Sequence, residues 1–320
     1  MLVQPIDAAA LRPGERAHEL AAIIALIRAR IVSVNRLAAL IEQVGSAVKL
    51  AQLSETDRLF VPADPTHVVV GAVTPEVMGG AVKDAEEWLA RGLDVRTVLD
   101  PTYPRVLHDI FDQPPLLFVE GQWIEEQDSR AVAIVGARSA STEGLKRARR
   151  LSRELAGAGF TVISGLALGI DTAAHTAALK ARGRTVAVMG TGIDRRYPPK
   201  NRPLADQILA SGGALVSQFF PQQPPQPWTF PLRNVVMSGL AVATVVVEAS
   251  STSGARMQAR IALQHGRTVF LLRSLVATHE WASKYVHEGA YDTRAIEVAT
   301  SEEIVERLAG NGVDARPLAV

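Results

Sequence analysis

The chain reads as α/β: an extended Rossmann-like, doubly wound and mostly parallel sheet, preceded by a small all-helical domain. Three observations predict this. From residue 131 onward, short β-branched runs alternate with longer amphipathic segments, the rhythm of successive βα units. Those runs are apolar without strict alternation, as strands buried on both faces are. Over the first hundred residues, by contrast, apolar side chains recur mostly at the three- and four-residue spacing of helices.

The 320 residues are enough for two domains, and 48% hydrophobic with 21% charged residues excludes a disordered chain. There is no cysteine, so disulfide and thiolate chemistry are excluded. No apolar run approaches the roughly 20 residues of a membrane-spanning helix, and the acidic, proline-containing N-terminus lacks a basic signal-type start. A cytoplasmic protein with no membrane span is expected.

Taken in order, residues 15–31 and 36–44 are predicted amphipathic helices, with Leu20, Ile23, Ile24 and Ile27 and then Leu37, Leu40, Ile41 and Val44 at helical spacing. Residues 68–73 are a short apolar stretch, and 76–91 a further helix ending at Gly92. Pro101, Pro104, Pro114 and Pro115 break residues 100–121, which are read as the junction between domains. Six strands are predicted beyond it, at 131–135, 160–164, 185–189, 214–217, 244–248 and 268–272. The expected division is a helical module with its connection over 1–99, a Rossmann domain over 100–296 and a short C-terminal tail over 297–320.

Formal net charge is only +1, but it is unevenly spread: −7 over residues 1–137, +9 over 138–205 and −1 over 206–320. A basic segment of this kind attracts polyanions, although Lys146, Arg147, Arg149, Arg150 and Arg153 also fit a solvated helix face.

In a doubly wound sheet ligands bind beyond the carboxyl ends of the strands, so the loops there carry the functional reading. After the first strand, Gly136, Arg138 and Ser139 precede a helix starting near Thr142. They form a candidate phosphate cradle with Arg138 as clamp, or a tight turn with an exposed arginine. The loop is neither GxGxxG nor a P-loop. After the second strand, Ser164 and Gly165 open a small-residue loop closed by Asp171, read as an N-cap, with His175 one turn later. No GxSxG is present, so a hydrolase triad is rejected. Arg195, Arg196, Lys200 and Arg202 put four cations around Tyr197 and Asn201, as a backbone-tracking groove would, or as a hydrated loop whose tyrosine packs inward would. Five prolines predict that residues 219–234 are extended, either with Trp228, Phe230 and Arg233 stacking along a single strand and Asn234 beside them, or as a stiff linker whose aromatics anchor it to the core. Ser253 and Gly254 open a second anion-receptive helix start, and Glu248 before them is either a ribose ligand or a strand-end acceptor. His265, His279 and His287 fit no metal-ligand spacing; neither metal nor cofactor is expected.

These motifs in this order, namely Tyr103-Pro104 with Pro114-Pro115, IVGARSAS, SGLALGIDTAAHTAAL, AVMGTGIDRRYPPKN, FPLRNVVMSGLA and VVVEASSTSG, resemble the DNA-processing protein A (DprA/Smf) family over residues 100–272. The helices around RLAALIEQVGSAVKLAQL are similar to that family's sterile-alpha-motif-like or helix-hairpin-helix module. The resemblance implies a non-enzymatic protein that binds single-stranded DNA without sequence preference, usually as a homodimer. It also implies protection of incoming DNA and delivery of a RecA-type recombinase during natural transformation. It places Arg138, Lys200, Phe230, Arg233 and Asn234 at the family's DNA-binding positions. The chain departs from the family at Ser217-Gln218-Phe219-Phe220 and at residues 272–290, and the 24 residues after Ile296 are too few for the winged helix many relatives carry. The alternative reading is a Rossmann-type small-nucleotide sensor or nucleotide-hydrolysing enzyme.

Overall fold

The computed structural model describes residues 13–30, 34–52, 58–61, 64–69 and 73–313. The chain divides into two compact units, one comprising Met1–Tyr103 with Ile110–Phe118 and the other Pro104–Asp109 with Val119–Val320.

The first unit holds helices α1 (Pro13–Ala29), α2 (Val34–Val44) and α3 (Ala47–Gln52), an antiparallel pair β1 (Arg58–Val61) and β2 (Asp64–Val69), then α4 (Pro75–Ala90) and β3 (Asp94–Thr97). Helix α1 is not the one-sided amphipathic helix its spacing suggests. Every residue from Leu20 to Leu26 is buried, so its middle is apolar all round and enclosed on all sides. Glu19 starts α3 from outside that helix, accepting from Ala47 N at 2.6 Å and Ser46 Oγ at 2.5 Å. Thr74 caps α4, with Pro75 in the first turn where no N–H is needed, and Gly92 ends it at φ +72°. The apolar stretch read at 68–73 falls partly outside the described residues. The proline-broken junction conceals β4 (Leu116–Gly121), because Pro114 and Pro115 precede the strand rather than interrupt it. The buried Tyr103 hydroxyl donates to Pro114 O at 2.6 Å and fixes that approach.

In the second unit the chain runs through α5 (Glu125–Asp128), β5 (Ala131–Gly136), α6 (Thr142–Gly157), β6 (Thr161–Ser164), α7 (Ile170–Lys180), β7 (Thr185–Val188), α8 (Arg202–Ala210) and β8 (Ala214–Ser217). It continues through α9 (Thr229–Gly239), β9 (Ala243–Glu248), α10 (Gly254–Gln264), β10 (Thr268–Leu272), α11 (Arg273–Val276), α12 (Glu280–His287), β11 (Ile296–Val298) and α13 (Ser301–Gly310). All six strands predicted here form. Within this unit the sheet order is β11-β10-β9-β5-β6-β7-β8, and every neighbouring pair is parallel. Strands β6, β7 and β8 are buried at every residue, as their unalternating apolar runs require. One side of the core joins Val132, Ile134, Leu151, Leu155, Val162, Val245 and Phe270. Ile304 and Leu308 belong to the same cluster, so residues at the start of the expected tail fold into the body as β11 and α13.

The segment expected to be extended through Asn234 corrects to a helix from Thr229 onward. Pro231 stands in the first turn of α9, where a missing N–H costs nothing, so the proline count does not break the helix. The chain order reverses at β5, whose neighbours are β6 and β9, and this is the switch point at which a doubly wound sheet opens a crevice.

Candidate nucleic-acid interface

A cleft of about 980 Å³ opens at that switch point, above the carboxyl ends of β5 and β9. Of the residues singled out from the sequence, Gly136, Arg138, Ser139, Arg147, Asp171, Phe230, Arg233, Asn234, Glu248, Ser253 and Gly254 line it. They come from four separate stretches of sequence, which the sheet order brings to one cleft.

The loop carrying Arg138 is held at both ends. Ala137 N donates to the backbone oxygen of Glu248 at 2.7 Å, and the Glu248 carboxylate accepts from Ser141 N at 2.9 Å and Ser141 Oγ at 2.6 Å. On its other side Ile170 N donates to Ala137 O, and Gly169, at φ +79°, lets the backbones meet: a Cβ there would stand 2.3 Å from Ala137 O. These contacts aim Arg138 outward. Its guanidinium lies 5.1 Å from the centroid of the Phe230 ring, and that ring lies 6.1 Å from Tyr197 and directly over Gly190. A cation and two aromatic faces therefore follow one another along the rim.

The α6 start is a correction to the phosphate-cradle reading. The Glu248 carboxylate already occupies the anion position there, close enough that a Cβ on Gly144 would fall 2.2 Å from its Oε2. Glu248 is thus a strand-end acceptor. The α10 start differs: Ser253 caps it, and the space above Gly254 is open.

The cleft floor holds buried charge. Arg233 is 7% exposed, its Nη1 reaches Val188 O at 3.4 Å, and its Nε has no partner. Asp171 is not the N-cap of α7, which is Gly169; it stands in the first turn and accepts from Gly165 N at 3.1 Å and Ala167 N at 3.3 Å. Burial pushes the Asp171 carboxyl up, opposed by Arg233 and these hydrogen bonds, and burial pushes Arg233 down, opposed by Asp171. His175 is fully buried, its Nδ1 is 2.7 Å from Thr185 Oγ1, and burial pushes it down to about 3.

Other expected residues lie elsewhere. Ser164 is buried and donates to Ile134 O at 2.7 Å, and Gly165 is enclosed beneath Arg233. Asn201 is buried and its amide pins the loop after β6 through Leu166 O, Ala167 O and Thr172 Oγ1. Arg195 donates to Gln222 O at 2.7 Å, and Arg196 pairs with Glu120. Lys200 is exposed three residues beyond Tyr197, outside the cleft lining. The basic segment therefore divides between internal pairs, an outer helix face and the rim. Sequence reading placed Arg147 with the solvated face of α6, whereas it turns into the cleft and donates to Ser274 Oγ at 3.0 Å. Gln258 also lines the cleft, and its signal in the sequence is a lone polar residue among Ala255, Ala259 and Ala262 on one helix face.

The model of the family described as DNA recombination-mediator protein A matches residues 94–309. The chain belongs to this family. Protein Smf of Synechocystis sp. is 40% identical over 197 residues, covering 60% of this chain and 49% of that protein. The crystal structure of DNA processing protein A from Streptococcus pneumoniae has a TM-score of 0.70 at 28% identity, covering 91% of this chain and 97% of that one. DNA processing protein A from Helicobacter pylori, studied for its single-stranded DNA binding mode, shares the fold with a TM-score of 0.59 at 23% identity, covering 68% of this chain and 97% of that one. The chain spans about half to three fifths of the length of the curated family members it matches. Among the described residues of this family member, no helix is long and apolar enough to cross a membrane, and no cluster of three or more metal-ligating side chains occurs.

Proposed function

We propose that the cleft and its Arg138–Phe230–Tyr197 rim bind single-stranded DNA through backbone charge and base stacking. The observation that carries this reading is the sequence of Arg138 at 5.1 Å from Phe230 and Phe230 at 6.1 Å from Tyr197, which alternates a phosphate-seeking cation with faces on which unpaired bases stack. Lys200 and the open start of α10 extend the path on either side of it. Ser164, Gly165, Asn201, Arg233 and Asn234 then act from within, setting the loops and floor on which the strand rests.

The same reading assigns the protein a cytoplasmic role in DNA processing during recombination: it protects incoming single strands, works as a homodimer and helps load a RecA-type recombinase. Binding rather than catalysis is supported by the burial of Ser164 and His175 outside the cleft lining and by the commitment of the Asp171 carboxylate to backbone hydrogen bonds. The cleft volume, about 980 Å³, is also large enough for a small nucleotide, which favours that second reading.

Fluorescence anisotropy with labelled oligo-dT and a duplex of equal length, titrated with salt, tests the proposal. The single strand binds more tightly at every salt concentration, with an affinity that falls linearly on a log–log plot. Equal or tighter duplex binding contradicts it, and a mononucleotide that stabilises the protein where oligonucleotides do not favours the second reading.

A further inference from the structure

Gln258 lies on α10 at the wall of the cleft, is 1% exposed, and has neither its amide nitrogen nor its amide oxygen bonded to any other group of the protein. Buried polar groups in folded proteins are nearly always satisfied, and a bare carboxamide is expensive to keep. Val135, Met237, Val247, Ala255 and Leu275 give the same cleft apolar wall, beside the charged Arg147, Asp171, Arg233 and Glu248. Apolar wall with a few donors and acceptors set in it is the makings of a pocket for a flat heterocycle.

Pairing logic narrows the class. A phosphate offers only acceptors and would leave the amide oxygen bare; an ammonium or guanidinium offers only donors and would leave the nitrogen bare. The occupant has to present a donor beside an acceptor. Adenine does so on two edges, its exocyclic amine lying between N1 and N7, and glutamine reads the N6/N7 edge with both atoms. The last torsion of a glutamine side chain is broad, so oxygen and nitrogen exchange places at little cost to match either edge, while the enclosed amide reaches the cleft only by a swing of the whole side chain.

We propose that the inner cleft is a nucleobase site in which Gln258 reads an edge of adenine, carried either on a bound strand or on a free nucleotide. The first source rests on the strand-binding reading above; the second does not.

The test uses the full chain and three labelled oligonucleotides: oligo-dT, the same with one central adenine, and the same with purine, which lacks the exocyclic amine, in its place. The adenine strand binds about five-fold or more tightly than the other two, the discrimination expected of one bidentate contact. In Gln258→Met, which keeps the chain length and removes the amide, that ratio falls to one. If the strands are not distinguished but dAMP raises the melting temperature where dTMP does not, and Gln258→Met abolishes the difference, the site stands with a free nucleotide as its occupant. A parent that distinguishes neither strands nor nucleotides overturns the proposal, as does discrimination that survives in Gln258→Met. Should that variant not fold, equal affinity of the parent for the purine and adenine strands, with no preference for dAMP, overturns it. Failure of all oligonucleotide binding alongside a retained dAMP preference sinks the strand reading and leaves this site intact.

Discussion

Arg233 occupies the space a side chain on Gly165 would need: a Cβ built there stands 1.1 Å from the Arg233 Nη1. The loop after β6 and the first turns of α9 are therefore fitted to each other at the cleft floor. Gly165→Ala displaces the guanidinium, and overpacking at such a site costs about 1–3 kcal/mol. Urea denaturation should show this loss, with weaker single-strand binding; unchanged stability would mean that the floor tolerates a shifted Arg233.

The cations of the basic segment divide by partner. Arg184 pairs at 2.6 Å with Asp128, which is completely buried, so Arg184→Ala leaves an uncompensated charge and should cost about 3–5 kcal/mol. Lys200 is exposed, so Lys200→Ala should leave the urea midpoint where it is while reducing single-strand affinity and its salt dependence. Measuring both variants in both assays checks the division, and it fails if the two behave alike.

Ser141 caps α6, accepting from Gly144 N at 2.9 Å while donating to Glu248. Ser141→Ala removes the cap and one tie on the Arg138 loop, an expected loss of about 0.5–2 kcal/mol by urea denaturation.

Burial holds His175 neutral down to about pH 3, whereas in the unfolded chain it takes up a proton below its usual 6.5. Between those values the unfolded chain binds more protons, so stability falls as pH drops below 6.5. The expected loss is about 2 kcal/mol by about pH 5, at roughly 1.4 kcal/mol per pH unit. Asp171, with its carboxyl pushed up, works in the opposite sense and stays present in both proteins. His175→Asn, which does not titrate, should therefore flatten the acid side of a melting-temperature profile relative to the parent.

The sheet was legible in the sequence because its central strands are buried on both faces, and burial of that kind leaves uninterrupted runs such as those at 131–135 and 214–217. Strand β4 is hidden because Pro114 and Pro115, which break the segment before it, stand directly at its start. The helical start of α9 was hidden because Pro231 sits where a helix accepts proline. At the site, Arg138 and Phe230 were readable as residue types in loops after strands. The turn of Arg147 into the cleft, the seat of Glu248 on α6 and the bare amide of Gln258 depend on helix rotation and on contacts more than a hundred residues apart, which spacing alone does not encode.

The central claim is that Arg138 and Phe230 seat a single strand at the cleft rim, and salt-titrated oligo-dT binding of three variants tests it most directly. Arg138→Ala should bind more weakly with a log–log slope shallower by about 0.7 to 1. Phe230→Ala should lose about 1–3 kcal/mol with the slope unchanged, and Arg149→Ala, on the exposed face of α6, should lose little. If Arg138→Ala and Phe230→Ala bind oligo-dT as tightly as the parent at every salt concentration, the rim is not where the strand lies.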